Sequence, residues 1–356
     1  MGRLMPCARL PAPVDLDDLL QPFALRGVDL GLDRIHDALR QGGHPERRFA
    51  AVQVAGTNGK GSICTFLHGI LRAAGVRCGT YRSPHLVSWR ERLQLDDDWI
   101  SASALRADLR RWQSIAQRHQ LTPFELLTVA AFGRFALEGV DLAVLEVGLG
   151  GRLDATTSHP DRQVVGFATI GMDHREHLGD SLGSIATEKA AVMTPGSVAI
   201  SGPQHPDARR VLEVEASRLK CELRWVRPLA SAAEGGPCLG LPGEVQRTNA
   251  AVAVAMARAL AERGQLPLGS ELSAALVCDG LASVRWPGRL ERHHWLGRPL
   301  LIDGAHNPPA AVVLRHEIDR IDAAEATDVG TAEGRRWLLG IQRHKEGPEM
   351  LLALLG

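Results

Sequence analysis

The chain has no excess of charge of either sign: Lys and Arg number 41, and so do Asp and Glu. That balance gives no support for a nucleic-acid partner or a membrane surface, so any anionic ligand must be held by a local site. No two of the six cysteines (Cys7, Cys64, Cys78, Cys221, Cys238 and Cys278) form a C-x-x-C pair. Their spacing suggests neither a zinc site nor a disulfide framework, and scattered reduced thiols fit the cytoplasm. No apolar run approaches the roughly 18 residues that a membrane helix needs. The first twenty residues carry only short apolar runs broken by prolines and acids, unlike a signal peptide. Internal repeats and long low-complexity tracts are missing too. What is present is a chain of 356 residues, 45% hydrophobic, long enough for two domains with their own cores.

Short β-rich runs alternate with longer helical patterns. Residues 49–55, 76–81, 141–147 and 163–170 read as strands. Residues 60–74, 103–119, 181–193, 207–219 and 248–263 read as helices. Thr122, Pro123, Phe124 and Glu125 form a capping box with proline at the first helical position, which predicts a helix from there to about Leu137. Alternation of this kind predicts an α/β fold with a mostly parallel sheet covered on both faces, and ligands bound at the carboxyl ends of its strands. Residues 284–292 (VRWPGRLER) read as a boundary. Beyond it, a strand near 299–303, a helix near 308–318, a strand near 336–341 and a helix near 348–355 predict a second, Rossmann-like α/β unit. With two strands and two helices that unit reads as truncated.

One motif carries chemistry without outside help. Gly56, Thr57, Asn58, Gly59, Lys60, Gly61 and Ser62 follow a predicted strand and open a predicted helix. Glycines allow several N–H groups to point at one anion, the helix N-terminus adds partial positive charge, and Lys60 can reach terminal phosphates. The spacing differs from the common G-x-x-x-x-G-K-[ST] pattern. The bland alternative is a Gly-rich turn with a solvated lysine; the strand–loop–helix context favours phosphate.

G-T-N-G-K-G-S, together with E-V-G-L-G-G-R-L-D-A-T at residues 146–156, S-P-H at 83–85 and D-G-A-H-N-P at 303–308, resembles the folylpolyglutamate synthase/dihydrofolate synthase family within the Mur ligase group. Read alone, Glu146 could be a capping or salt-bridge acid, Ser83 a turn residue, His174 a structural histidine and Lys189 part of a solvated helix face. The resemblance implies instead that Glu146, Ser83 and His174 attend Mg²⁺, an oxygen-preferring cation, and that Lys189 carries CO₂ as a carbamate. It implies pterin contacts at Thr122, Pro123, Phe124 and Glu125 and at Leu153, Asp154 and Ala155, though a core phenylalanine and a turn aspartate are the ordinary alternatives. Asn249 is implied to touch adenine or ribose, and Asp303 and His306 to close over the nucleotide. Arg289, at the boundary, can offer a planar fork to phosphates.

The sequence departs from the family at residues 342–346 (QRHKE), where members show a D-K-D run; His344 and Glu346 replace the acids. Together these features predict an ATP- and folate-binding domain over residues 1–290 and a partial glutamate-ligase domain over 291–356. The implied activity is ATP- and Mg²⁺-dependent addition of L-glutamate to dihydropteroate or tetrahydrofolate through an acyl phosphate, in a cytoplasmic monomer. Three alternatives stay open: a Mur-type ligase for another acid, a binding-only truncated remnant, and a P-loop NTPase or kinase that turns over ATP without glutamate.

Overall fold

The computed structural model describes residues 10–266, 272–325, 336–342 and 345–356. A single turn, α1 (Asp17–Leu20), and α2 (Asp33–Gln41) lead into the central strand β1 (Ala50–Ala55). There follow α3 (Lys60–Ala73), β2 (Cys78–Tyr81), a small hairpin of β3 (Leu93–Leu95) and β4 (Asp98–Trp99), α4 (Ala102–His119), α5 (Pro123–Glu138) and β5 (Leu142–Glu146). Next come β6 (Val164–Phe167), the turn α6 (Arg175–Leu178), α7 (Leu182–Ala190), β7 (Val198–Ser201), α8 (Pro206–Leu219), β8 (Glu222–Trp225), α9 (Val245–Glu262) and α10 (Ala274–Ser283).

The strands form one eight-stranded sheet in the order β4-β3-β2-β5-β1-β6-β7-β8. From β2 to β8 every pairing is parallel; only β3 and β4 run antiparallel. The alternation of β1 sorts its side chains between two layers. Val52 and Val54 enter a core with Ile63, Phe66 and Leu67 of α3 and with Val252 and Met256 of α9. Ala51 enters the opposite core with Leu109 and Trp112 of α4 and with Leu126, Phe132 and Phe135 of α5. Helices α7 and α8 cover the far end of that face over Val165, Phe167 and Ala199. The capping box forms as expected: Thr122 Oγ1 accepts from the Glu125 N–H, and the Thr122 N–H donates to Glu125 Oε2.

After the sheet, β9 (Glu291–Trp295) and β10 (Arg298–Ile302) form an antiparallel hairpin, followed by α11 (Pro308–Glu325) and α12 (Gly347–Leu355). Leu296 and Gly297 both have positive φ, 50° and 75°, the turn geometry that suits the twist of a two-residue hairpin. The expected strand at 336–341 does not form. Residues 336–341 carry no ladder, since an extended segment needs a neighbour to pair with. Trp337 and Ile341 instead pack beside the small core of Ala311, Met350 and Leu354, which joins α11 to α12. His344 lies outside the described residues. Among those described, no helix is long and apolar enough to cross a membrane.

Candidate active site

Four adjacent strands, β2, β5, β1 and β6, end at the same edge of the sheet. The loops after them build one cleft, lined by Gly56 to Gly61, Ser83, Glu146, Asp173, His174, Lys189, Arg289 and His306 among others. Most residues singled out in the sequence for phosphate and metal thus meet in one place, though they are spread over 250 positions of chain.

The phosphate loop is held open by its own bonds. The N–H groups of Thr57 and Asn58 donate to the Thr169 carbonyl at 2.8 and 3.2 Å, and Thr57 Oγ1 exchanges bonds with the backbone of Gly171. The N–H groups of the first turn of α3 lack intrahelical acceptors. Gly59 caps that helix with φ 100°, and a side chain there would meet Asn249 Oδ1 at 2.5 Å. Asn249 is therefore packed beneath the loop, bonded to Gln246 Oε1, and does not line the cleft; Ser62 is buried and does not line it either. Lys60 Nζ bonds the Gly56 and Thr57 carbonyls at 3.1 and 3.0 Å.

Ser83 and Glu146 sit side by side. The Ser83 N–H donates to Glu146 Oε2 at 3.3 Å. The Ser83 hydroxyl is buried and has no hydrogen-bond partner among the described residues. Burial raises the Glu146 carboxyl above the usual carboxylate range, against the pull of Lys60, the Ser83 N–H and Arg82. Behind them Arg82 is almost wholly buried, bonded to Gln94 and stacked over Trp286 with 4.6 Å to the ring centre.

Lys189 is buried on α7 and has no side-chain partner among the described residues. Burial, reinforced by the charge of Lys60, pushes its amine down to about 7. The G-L-G-G-R loop reaches α7 through the Arg152 N–H, which donates to the Glu188 carbonyl at 2.9 Å. Gly151 permits that approach, because a Cβ would stand 2.7 Å from the same carbonyl oxygen. His174 has φ 50° and is half-exposed, with Nε2 3.8 Å from Asp173 Oδ2. Burial lowers its pKa, only partly offset by Asp173.

At the boundary segment, Arg289 Nη1 donates to the Gly288 carbonyl. Asp303 accepts from the N–H groups of Leu290 and Ala305 and so fixes the turn that carries Arg289. His306 reaches the cleft and bonds the Gly304 carbonyl.

Three participants were not singled out from the sequence: Asp173, Asn307 and Lys345. Asn307 and Asn58 bond each other in both directions, Asn307 also donates to Asp173 Oδ2, and Lys345 pairs with Asp173 Oδ1 at 2.9 Å. Burial alone would raise the Asp173 carboxyl, but Lys345, His174 and Asn307 outweigh it and hold the group below its ordinary value. A usable signal was an Asn directly before Pro308 at a helix start, the position of an N-cap.

The residues assigned to the pterin lie to one side, and none lines this cleft or the larger one next to it. That second cleft is lined by Val28, Leu149, His174, Glu176 and His177 and shares Leu149 and His174 with the first. Phe124 lies 5.9 Å from the ring centre of Tyr81 and against Gly148. Glu125 is buried and held by Thr122 and by Arg34 at 3.4 Å. Pro123 starts α5, Leu153 is half-buried and Ala155 belongs to the core. Both Asp154 oxygens are occupied by its own loop: Gly148 and Leu149 N–H on one, the Thr156 N–H and hydroxyl on the other.

No family model matches the chain. It is 39% identical over 283 residues to the folylpolyglutamate synthase of Arabidopsis thaliana, covering 73% of this chain and 49% of that protein. It is 33% identical over 309 residues to the dihydrofolate synthetase of Saccharomyces cerevisiae, covering 81% and 71%. The solved structure of Escherichia coli FolC in complex with DHPP and ADP matches with a TM-score of 0.80 and 30% identity, covering 97% of this chain and 82% of that one. The chain spans about half the length of the Arabidopsis thaliana relative.

Proposed function

We propose that this chain, which belongs to the family of folylpolyglutamate synthases and dihydrofolate synthases, joins L-glutamate to a folate-type carboxylate at the expense of ATP. The observation that carries the proposal is the convergence of Lys60, Ser83, Glu146, His174 and Lys189 on one cleft at the carboxyl ends of four neighbouring strands. The triphosphate lies along the first turn of α3, with Lys60 released from its loop carbonyls to the terminal phosphates and Arg289 added from the boundary segment. The adjoining cleft at Val28, Leu149 and His177 receives the acid substrate.

The residues fit a magnesium ion. Ser83 offers a buried oxygen with no other partner among the described residues, and Glu146 offers a carboxylate beside it. Among the described residues no three His, Cys, Asp or Glu side chains could hold a metal by themselves. That suits Mg²⁺, which takes few protein ligands and completes its shell with phosphate and water. Ser83 and Glu146 would hold it, with His174 at the rim; when bound, it supplies neutralising charge to the phosphates.

The rest is positioning, as phosphoryl transfer requires. The substrate carboxylate oxygen attacks the γ-phosphorus, its bond to the β–γ bridging oxygen breaks, and ADP leaves an acyl phosphate. The glutamate amine then attacks the acyl carbon, phosphate leaves, and the amine loses a proton. No Ser or Cys nucleophile is needed. Lys189, whose amine is pushed by burial down to about 7, takes up CO₂ in its neutral form as a carbamate with loss of one proton and so becomes anionic.

Phosphate release measured with dihydropteroate and with tetrahydrofolate, with and without L-glutamate, tests the proposal. Release that needs both the acid and glutamate is the expected result; turnover indifferent to glutamate overturns it.

A further inference from the structure

Asn307 is 1% exposed and stands where the second unit meets the phosphate loop. Its amide orientation is settled by its neighbours. The Ala310 N–H can only donate, so it meets Oδ1 at 2.9 Å; the Asp173 carboxylate can only accept, so it meets Nδ2 at 2.8 Å. That orientation also satisfies Asn58, whose Nδ2 donates to Asn307 Oδ1 at 2.9 Å and whose Oδ1 accepts from Nδ2 at 3.0 Å. Asn307 thus does three things at once. It caps α11, it pairs face to face with a residue of the phosphate loop, and it bonds the aspartate that precedes His174. Lys345, from the segment before α12, closes the cluster on the other oxygen of Asp173.

The chemistry of the pair matters. Two primary amides joined by two bonds define both a distance and a plane, as a single bond would not. Asn58 belongs to the phosphate loop, so a shift of that loop carries its side chain along. His306, next to Asn307, lines the cleft.

We propose that Asn307 is a positioning residue, the latch through which an occupied phosphate loop seats the loop 303–307 and the start of α11 over the cleft. This rests on the ligase reading given above. Nucleotide binding itself depends on the glycines, Lys60 and the helix terminus, and these do not touch Asn307. Breaking the latch therefore separates binding from turnover.

Asn307→Ser is the informative variant, because serine still caps α11 but reaches neither Asn58 nor Asp173. Its kcat falls about tenfold, the size of effect that one lost hydrogen bond to a charged group produces, while KM for ATP moves less than about twofold. Asn58→Ser, which breaks only the neutral amide pair, lowers kcat by a smaller factor, about threefold, and the double variant is no worse than Asn307→Ser alone. Hydrogen exchange with a non-hydrolysable ATP analogue gives an independent readout: residues 57–62 are protected in the wild type and in Asn307→Ser, residues 303–314 only in the wild type. Additive losses, or nucleotide protection of 303–314 that survives in Asn307→Ser, overturn the latch. A wild type that fails the glutamate test instead removes the ligase reading, and the exchange comparison still decides the latch.

Discussion

The backbone N–H of Ser83 donates to Glu146 Oε2 at 3.3 Å, while the Ser83 hydroxyl lies buried with no partner of its own among the described residues. A buried hydroxyl without a bond contributes nothing to the fold and is costly to desolvate. Ser83→Ala should therefore leave thermal stability unchanged or slightly raised. The magnesium concentration for half-maximal phosphate release should rise about tenfold, the price of one missing oxygen ligand. Magnesium titrations alongside thermal melts check this. A destabilised variant with an unaltered magnesium requirement would make Ser83 a structural residue.

Lys189 gives the pH dependence of the site. Its amine, near 10.5 in the open chain, falls to about 7 when buried beside Lys60. The unfolded chain binds more protons than the folded one between those two values, so stability rises with pH from about 7 to 10.5, and the cost of burying the charge is fully present below 7. Only the neutral amine can add CO₂, so activity should climb as pH rises through 7. Lys189→Ala should lose about a hundredfold in kcat, as loss of a positioned charge does. Short carboxylic acids added to the assay should restore part of it. A variant that works fully without them rules out the carbamate.

The phosphate loop, the capping box of α5 and the strands β1, β2, β5 and β6 were legible because each is a local pattern: a Gly-rich turn, a Thr–Glu reciprocity three residues apart, an apolar run. β7 and β8 were not. Val198–Ser201 was missed although it is no shorter than β2 or β6, and β8 is an edge strand carrying Glu222 and Arg224, which form a salt bridge on the exposed side. The cluster of Asn58, Asn307, Asp173 and Lys345 had no local signature either, since its partners lie 134 to 249 residues apart. Residues 336–341 show the reverse failure. Their apolar run suggests a strand, but Trp337 and Ile341 are drawn into the contact between α11 and α12.

The glycines of the loop should differ sharply in tolerance. At Gly59, φ 100° disfavours any side chain, and a methyl group would press on Asn249 Oδ1 at 2.5 Å, a buried amide fixed by Gln246. Gly59→Ala should lower stability by about 1–3 kcal/mol and abolish measurable nucleotide binding. At Gly61 φ is helical, and a methyl would lie 3.4 Å from Trp286 and 3.6 Å from Glu146 Oε2, ordinary contacts. Gly61→Ala should keep or slightly raise the melting temperature, since alanine is the better helix former. Thermal melts and calorimetric titration with ADP separate the two; equal tolerance would mean that the loop is not held as described.

Acid should weaken the fold through two buried histidines that do not line the cleft. His68 Nε2 meets the Asp96 carbonyl at 2.6 Å and so must carry the proton; its Nδ1 meets the Thr80 hydroxyl at 2.7 Å and so accepts. His159 is likewise neutral, with the Asp161 N–H donating to Nδ1 and Nε2 facing the Phe49 carbonyl. Burial first, then the charges of Arg82 and Arg162, pushes His68 down to about 3 and His159 to about 4. A free histidine near 6.5 binds its proton well before these do, so the unfolded chain takes up protons that the folded one refuses. Stability therefore falls as pH drops from 6.5 toward 4, each histidine contributing about 1.4 kcal/mol per pH unit. His68→Gln retains one donor and one acceptor and has nothing to titrate. In urea unfolding followed between pH 4 and 7.5 it should lose stability less steeply than the wild type; parallel slopes would mean that His68 is protonated in the folded protein after all.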